Sequence, residues 1–218
     1  QCVHTGFGFS DLRRILPGPK YAQAHVQRAS AAGATIQTEW TAVEWPNRPD
    51  VNRHRVLVTS PGGMQQIDAD VVLVATGCRE RPRSARLIPG ARPGGIYTTG
   101  SLQQWVHLLG QTPGKKAVVV GAEHVSYSAV LTLNRAGCRV VAMVSEFPGT
   151  QTYAFAHWWI AGRNKIPLYV DATVTGVLGK ERVEGIEIEI SGKRSAIACD
   201  CLVFTGDWIP DHEFCRTA

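Results

Sequence analysis

One short segment has the residue types and spacing of a phosphate-binding turn. In KKAVVVGAEHVSYSAVLTLNRAG, residues 115–137, an apolar run ends at Gly121 and a helix-period pattern follows. A strand, a glycine turn and a helix in this order bind phosphates in dinucleotide-binding domains, where the turn reads G-x-G-x-x-G. Counted from Gly121, Glu123 and Ser126 stand at the second and third glycine positions. The segment predicts a dinucleotide-type turn that has lost two of its glycines.

The side chain of Glu123 allows two interpretations. It adds bulk and negative charge where a pyrophosphate would approach, and like charges about 4 Å apart repel by roughly 4 kcal/mol at an effective dielectric near 20. Alternatively it swings outward and stabilises the helix N-terminus. Ser126 is small enough for close strand–helix packing, and His124 lies in the first turn of the helix predicted to begin at Glu123. Gly121, Glu123, His124 and Ser126 are therefore candidate cofactor-binding residues.

The strand after this helix, RVVAMVSE, ends at Glu146. An acidic residue there is the usual partner of the ribose 2′-hydroxyl of NAD, and it would repel the 2′-phosphate of NADP. An acidic strand end is also a common solvated position. NAD(H) binding is thus possible at this turn, and NADP binding is disfavoured.

Two further apolar runs end in Thr-Gly. The first is followed by Ala75, Thr76 and Gly77, and the second by Thr205, Gly206 and Asp207. Small residues at a strand end let the backbone approach a flat cofactor, and a carboxylate can accept hydrogen bonds from ribityl or ribose hydroxyls. Either pair alone is equally explained as a strand-ending turn. Their matching contexts favour cofactor proximity for all six residues.

The N-terminal segment QCVHTGFG contains the candidate catalytic residues Cys2 and His4. On an extended chain both side chains lie on one face. His4 can serve as an acid or base in oxidation of an amine or hydroxy acid, but a terminal histidine is more often a surface or packing residue.

The remaining cysteines and arginines are predicted to be structural. Cys199 and Cys201 share a face if they lie on one strand, but neither a C-x-x-C pair nor a second cysteine–histidine cluster accompanies them. Buried free thiols are the expected state, and no metal site is predicted. The arginine-rich run CRERPRSAR, residues 78–86, is expected to be a solvated connector with arginines paired to carboxylates, the alternative being a phosphate site.

The elements that must position these residues follow from periodicity and turn signals. In the first part of the chain we predict a helix over 21–32, a strand over 34–39, a short antiparallel meander and a strand buried on both faces over 68–77. A Pro/Gly-rich crossing and a short helix capped by Ser101 follow. The second part is predicted to contain a βαβ unit over 116–146, a helix over 153–163, and a second meander leading to a strand that ends at Thr205. The order of meander, buried strand and Thr-Gly thus occurs twice.

Composition sets the class of molecule. The chain has 218 residues, 44% of them apolar and 19% charged, which is typical of a globular α/β protein. Its formal charge of +5 is spread along the chain, so we expect no nucleic-acid partner. No run approaches the ~20 apolar residues of a membrane span. We expect a cytoplasmic protein in a reducing compartment, and a chain starting at Gln1 is either processed or part of something longer.

The series of motifs resembles a known family. ATG at 75–77, VVVGAEHVSYSAV at 118–130, the acidic strand end and TGD at 205–207 are similar to the pyridine nucleotide-disulphide oxidoreductase-like flavoproteins. QCVHTGFG, ATGCRERPRSARLIPG and FTGDWIPDHE look like the FAD-dependent oxidoreductases related to the flavin subunits of opine oxidase and hydrogen cyanide synthase. The resemblance spans nearly the whole chain.

The resemblance implies an α/β fold of two Rossmann-like, three-layer FAD/NAD(P)-binding domains, one inserted in the other. Residues 1–94 would be a partial FAD-binding domain, 95–200 the inserted NAD(P)-binding-like domain, and 201–218 a return into the first. The first domain is expected to be incomplete, because no G-x-G-x-x-G turn for FAD precedes it in this sequence. The chain alone is therefore expected to hold FAD weakly or not at all.

The function implied is part of a flavin-dependent oxidoreductase. Electrons would pass from a small-molecule substrate, such as an amine or an amino or hydroxy acid, through FAD to a second oxidoreductase subunit or another electron acceptor such as a quinone-like carrier. A disulphide-reductase mechanism is disfavoured because only Cys2 is available near the N-terminus. The alternatives are an NADH-dependent flavoprotein reductase and a non-catalytic subunit completed by a partner chain.

Overall fold

A computed structural model describes residues 5–46 and 53–217. The candidate catalytic residues Cys2 and His4 lie outside the described residues. The chain divides into two compact units, which are considered separately. Unit 1 comprises Gln1–Pro19 and Glu80–Trp208, and unit 2 comprises Lys20–Arg79 and Ile209–Ala218.

The secondary structure alternates short strands with few helices. The strands are β1 (Thr5–Phe7), β2 (Leu16–Pro17), β3 (Thr41–Glu44), β4 (His54–Ser60), β5 (Gly63–Ala69), β6 (Cys78–Glu80), β7 (Ile96–Thr98), β8 (Lys116–Val120), β9 (Arg139–Val144), β10 (Leu168–Tyr169), β11 (Ala172–Leu178), β12 (Gly185–Ile190), β13 (Lys193–Ala198), β14 (Cys201–Phe204) and β15 (Trp208–Pro210). The α-helices are α1 (Gly18–Ala31), α2 (Thr99–Gln103), α3 (His124–Arg135) and α4 (Ala154–His157). π-Helical turns follow α2 at Gln104–Leu108 and α4 at Trp158–Gly162, and 3-10 helices lie at Arg83–Arg86 and Glu213–Thr217.

Unit 1 is built on a five-stranded parallel sheet in the order β10-β9-β8-β14-β7. Successive side chains of a strand point to opposite faces, so each central strand contributes to two cores. Val119 and Val203 pack with α3 on one face. Val118 and Leu202 pack with the antiparallel meander β11-β12-β13 on the other. The predicted three-layer α/β fold with a Rossmann-like βαβ unit is confirmed.

Strand β14 lies inside this sheet, paired with β8 on one side and β7 on the other. The sequence prediction placed residues 201–218 in a segment returning to the first domain, but the hydrogen bonds keep Cys201–Phe204 at the centre of unit 1. The carboxylate of Asp200 fixes the start of β14 because it accepts from the N–H groups of Lys115 and Lys116, each at 2.8 Å. The assignment of FAD- and NAD-binding roles to the units stays a prediction.

The two central cysteines do not share a face. Asp200 separates the strands, so Cys199 packs in the core beneath the meander while Cys201 packs in the core beneath α3. Both thiols are buried and free, as expected. Over the described ranges, no group of three or more metal-ligating side chains comes together.

Unit 2 contains the antiparallel sheet β3-β4-β5 and helix α1. The strand predicted over 68–77 is wrong: β5 ends at Ala69, and the following Val71 and Leu73 are 81% and 89% exposed. A parallel strand needs hydrogen-bonded neighbours, and no part of the chain that the structure describes pairs with these residues. The strand predicted over 34–39 is also absent from the described structure of that segment.

Helix ends differ from prediction for local reasons. Helix α1 begins at Gly18, three residues before the predicted start at residue 21, because a proline in the first turn lacks only an N–H that has no helical partner. Thr98, not Ser101, is the N-cap of α2, and the two hydroxyls form a reciprocal capping box. The helix predicted over 153–163 begins at Ala154 and widens into a π-helical turn. Among the helices described, none is long and apolar enough to cross a membrane.

Truncating the fully buried Leu202 should destabilise unit 1 strongly. Leu202→Ala removes packing between β14 and the meander, and a buried Leu→Ala change costs about 2–5 kcal/mol. Leu108, 77% exposed in the same unit, is the control, for which Leu108→Ala should change stability by less than about 0.5 kcal/mol. Urea unfolding followed by circular dichroism measures both. Equal losses would contradict the placement of β14.

Candidate functional site

The turn between β8 and α3 is shaped by Gly121. Its φ is +136°, a conformation that L side chains rarely adopt. A Cβ atom at this position would overlap the hydroxyl of Thr205, at the end of β14. The first glycine of the predicted turn is therefore required both by the backbone and by the neighbouring strand.

A chain of hydrogen bonds connects this turn to β14. The N–H of Glu123, the N-cap of α3, donates to Ser126 Oγ at 3.2 Å, and Ser126 Oγ lies 2.7 Å from Thr205 Oγ1. Thr205 Oγ1 donates to the carbonyl of Val120 at 3.0 Å. A carbonyl only accepts, so the Thr205 proton is committed to Val120 and Ser126 must be the donor to Thr205. Ser126 and Thr205, both buried, thus bind the turn to the neighbouring strand.

The carboxylate of Glu123 lies over the turn. A Cβ atom at Gly121 would be 2.7 Å from Glu123 Oε2, and one at Gly206 would be 2.9 Å from Glu123 Oε1. The space left by the two glycines is therefore filled by the chain's own carboxylate. Glu123 Oε1 is buried and has no hydrogen-bond partner in the described part of the chain. The carboxylate is not turned outward, but Glu123 stabilises the N-terminus of α3 as that alternative proposed, because it forms a capping box with Ser126.

The surrounding cavity has a volume of about 640 Å³ and lies entirely in unit 1. Glu123, Glu146 and Asp207 line it together with two arginines, Arg81 and Arg86. Three carboxylates at the mouth of a dinucleotide-type turn oppose the approach of a pyrophosphate.

Both arginines are already engaged by the protein. Arg86 donates to the carbonyls of Thr205 at 2.8 Å and Gly206 at 3.0 Å, and its guanidinium lies 5.4 Å from the Phe204 ring centroid. Burial lowers the pKa of Arg86, against the opposing effect of Asp207, Glu123 and Glu146. Its charge therefore offsets part of the acidic field while its donors are used by the end of β14.

The carboxylate and the carbonyl of Asp207 both contact Arg81 within the protein. Its carboxylate lies 3.2 Å from Arg81 Nε, and its carbonyl accepts from the Arg81 N–H at 3.0 Å. Its φ of +53° is unusual for a residue with a side chain. The predicted hydrogen bond to a ribityl or ribose hydroxyl would compete with this ion pair.

Of the other two predicted cofactor-binding residues in this region, Glu146 lines the cavity and His124 does not. Glu146 is exposed and lines the cavity beyond the end of β9, where the sequence placed it. His124 is exposed and packs edge-on against Tyr153, with ring centroids 5.4 Å apart, and it does not line the cavity. The prediction of His124 as a cofactor-binding residue therefore has no support from the cavity.

The first Thr-Gly pair belongs to unit 2. The Thr76 hydroxyl donates to the carbonyl of Asp211, and the Asp211 N–H donates to the carbonyl of Gly77 at 3.0 Å. Ala75 and Gly77 are exposed. Thr76 thus uses its only donor within the unit, and its role beside a cofactor stays a prediction.

The sequence predicted the arginine run as a connector but did not predict the partner of each arginine. Arg79 pairs with Asp211 at 3.1 Å and Glu213 at 2.8 Å and lowers the pKa of Glu213 to about 2. With the Arg81–Asp207 pair, the predicted pairing to carboxylates is confirmed. No local signal singles out Arg86, because the carbonyls that it binds, those of Thr205 and Gly206, lie 119 and 120 residues away in sequence.

Two oxidase subunits are similar to this chain in sequence. The alpha subunit of sarcosine oxidase from Rhizobium meliloti (strain 1021) is 29% identical over 147 residues, covering 66% of this chain and 14% of that protein. An opine oxidase subunit from Rhizobium meliloti is 24% identical over 182 residues, covering 76% of this chain and 34% of that protein. The chain thus spans about a third or less of the length of these two relatives.

Solved structures with the same fold include thioredoxin reductase from T. acidophilum, with a TM-score of 0.72 and 15% identity over 92% of this chain and 62% of that one. The bacillithiol disulfide reductase Bdr from Staphylococcus aureus has a TM-score of 0.71 and 15% identity over 99% and 66%. The profile of the pyridine nucleotide-disulphide oxidoreductase family matches residues 15–214. The chain therefore belongs to the pyridine nucleotide-disulphide oxidoreductase family, a family of FAD-dependent oxidoreductases.

Proposed function

We propose that this chain is part of a flavin-dependent oxidoreductase whose second dinucleotide site is closed to NAD(H). Electrons pass from a small organic substrate, such as an amine or an amino or hydroxy acid, through FAD to an acceptor other than NAD. The observation that carries the proposal is the Glu123 carboxylate over Gly121 and Gly206. The names of the relatives, sarcosine oxidase and opine oxidase, support the substrate class.

NAD does not fit the turn as it stands. Pyrophosphates bind at a helix N-terminus because its free N–H groups and dipole attract negative charge. Here the chain's own carboxylate is at the N-cap of α3, and Glu146 and Asp207 add to the negative field. A phosphate about 4 Å from one carboxylate is opposed by roughly 4 kcal/mol at an effective dielectric near 20. We therefore propose that electrons do not pass through NAD.

FAD likewise has no complete binding site in the described part of unit 2. Helix α1 follows the two-residue strand β2, with no glycine turn of the G-x-G-x-x-G type between them. In unit 2, the segment proposed to lie beside the flavin nucleotide is Ala75–Gly77, where the hydroxyl of Thr76 already donates to the carbonyl of Asp211. We propose that this chain alone binds FAD weakly.

The acceptor is proposed to be a second oxidoreductase subunit or a quinone-like carrier. Both relatives are named as subunits, which supports a partner protein. The sequence contains no C-x-x-C pair, so a dithiol of that type is not proposed as the acceptor. The cytoplasmic location stays a prediction.

A second candidate function is an NADH-dependent flavoprotein reductase. It is favoured by the intact βαβ unit, the cavity of about 640 Å³ and the position of Glu146 after β9. For this function the Glu123 side chain would have to leave the turn when NADH binds. The two candidates therefore differ in the affinity of the unaltered chain for NADH.

Replacing Glu123 should open the turn. Glu123→Gly removes both bulk and charge, and we expect NADH affinity to rise between about tenfold and a thousandfold, the range that follows from relieving part or all of a repulsion of roughly 4 kcal/mol. Glu123→Gln keeps the bulk without the charge and should give a smaller gain. Calorimetric titration measures the NADH affinity of the unaltered chain and of both variants.

Glu189→Gln is a control for the loss of one negative charge, because Glu189 lies outside the cavity and pairs with Arg194 at 3.0 Å. It should leave NADH affinity unchanged. Micromolar NADH binding by the unaltered chain would contradict the closed site and favour the reductase. No gain in Glu123→Gly would mean that other features exclude the nucleotide.

The purified 218-residue chain should contain little flavin. Because unit 2 lacks a described pyrophosphate-binding turn, we expect far less than one FAD per chain after purification and after incubation with FAD. An absorbance spectrum and flavin fluorescence measure the content. A stoichiometric flavin band would show that the chain itself completes the site, contrary to the proposal.

A further inference from the structure

A second cavity in unit 1, with a volume of about 870 Å³, has the opposite charge character from the first. Arg83 and Arg92 line it, and no carboxylate is among the residues that do so. Its apolar lining includes Leu87, Ile88 and Ile96. Leu87 and Ile88 line both cavities, so the acidic and the basic cavity are adjacent. We call this second cavity the arginine cavity.

Arg83 is held rigidly at the arginine cavity. Its guanidinium donates to the carbonyls of Ala91, Pro89 at 2.8 Å and Gly90 at 3.0 Å. Those bonds use both terminal nitrogens, while the Nε atom is buried and has no hydrogen-bond partner in the part of the chain that is described. The three bonds use both N–H groups of Nη2 and one of Nη1, so one N–H of Nη1 and the positive charge of the guanidinium remain for an anionic ligand.

Arg92 is the second cation of the arginine cavity, and it is exposed. Within the described residues it forms no ion pair or hydrogen bond through its side chain. Burial lowers the pKa of Arg83, and the nearby charge of Arg92 lowers it further. Two guanidinium groups therefore face one cavity with no anion of the protein between them, an arrangement that an anionic ligand stabilises.

The apolar side of the arginine cavity is also unusual. Leu87 has a φ of +57° and is 88% exposed, so a strained backbone presents a large apolar side chain to the cavities. Ile88 and Ile96 are half-buried and pack on the core beneath the meander. An anion with no apolar part would leave this surface uncovered.

We propose that the arginine cavity binds a monocarboxylic acid with an apolar chain. The carboxylate lies between Arg83 and Arg92, and the chain covers Leu87, Ile88 and Ile96. Guanidinium groups match a carboxylate in geometry and charge, and most residues of small-molecule sites are apolar with a few polar groups that orient the ligand. This site is separate from the turn at Glu123 and goes beyond the proposed function.

Calorimetric titration of the 218-residue chain with hexanoate tests the site. We expect saturable binding that weakens at least about tenfold in Arg92→Ala, because one charge-assisted contact of the carboxylate is lost. Arg194→Ala is the matched control: it also removes one cation, its side chain is 72% exposed, and it lies outside the cavity. It should keep the affinity of the unaltered chain. Circular dichroism confirms that both variants are folded.

Two further ligands test which chemical features of hexanoate the arginine cavity requires. Hexanol lacks the charge and inorganic phosphate lacks the apolar chain, so both should bind at least about tenfold more weakly than hexanoate. Failure of hexanoate to bind the unaltered chain would overturn the proposal. So would equal hexanoate affinities of Arg92→Ala and Arg194→Ala, or binding of hexanol or phosphate as tight as that of hexanoate.

Discussion

The hydrogen bonds from Glu123 through Ser126 and Thr205 to Val120 hold the candidate site together. They connect the turn after β8 to the end of β14, two strands that are neighbours in the sheet but far apart in sequence. Because Ser126 and Thr205 are buried, losing either hydroxyl would leave its partners without a bond in a poorly solvated place. The same bonds fix the backbone of Glu123, and with it the carboxylate over Gly121 and Gly206.

The sheet explains why the turn keeps its shape whether or not a nucleotide binds. Alternate residues of β8 and β14 pack against α3 and against the meander, so the fold of unit 1 depends on two apolar cores. The fold requires Gly121 because a side chain there would meet Thr205, and it uses Ser126 to bond Thr205. Structural need alone therefore accounts for the residues at the first and third positions of the motif. Glu123, at the second position, sets the charge of the site.

The sequence predicted this βαβ unit well because its signals are local. The apolar run of β8, the glycine and the helical period all lie within about thirty residues, the length of a βαβ unit. The strand predicted over 68–77 failed because an apolar run forms a strand only beside partners, and Val71 and Leu73 have none in the described chain. The orientation of Glu123 and the contacts of Arg86 depend on Gly206 and Thr205, which only the folded sheet brings near. The sequence could identify Glu123 as the decisive residue, but not where its carboxylate lies.

We propose that a carboxylate of the protein occupies the place of a pyrophosphate at the turn after β8. The most direct test is a crystal structure of the unaltered chain soaked in a high concentration of NADH. We expect the Glu123 carboxylate to lie over Gly121 and Gly206, with no nucleotide at the N-terminus of α3. Density for a pyrophosphate on the turn, with the Glu123 side chain rotated away, would contradict it.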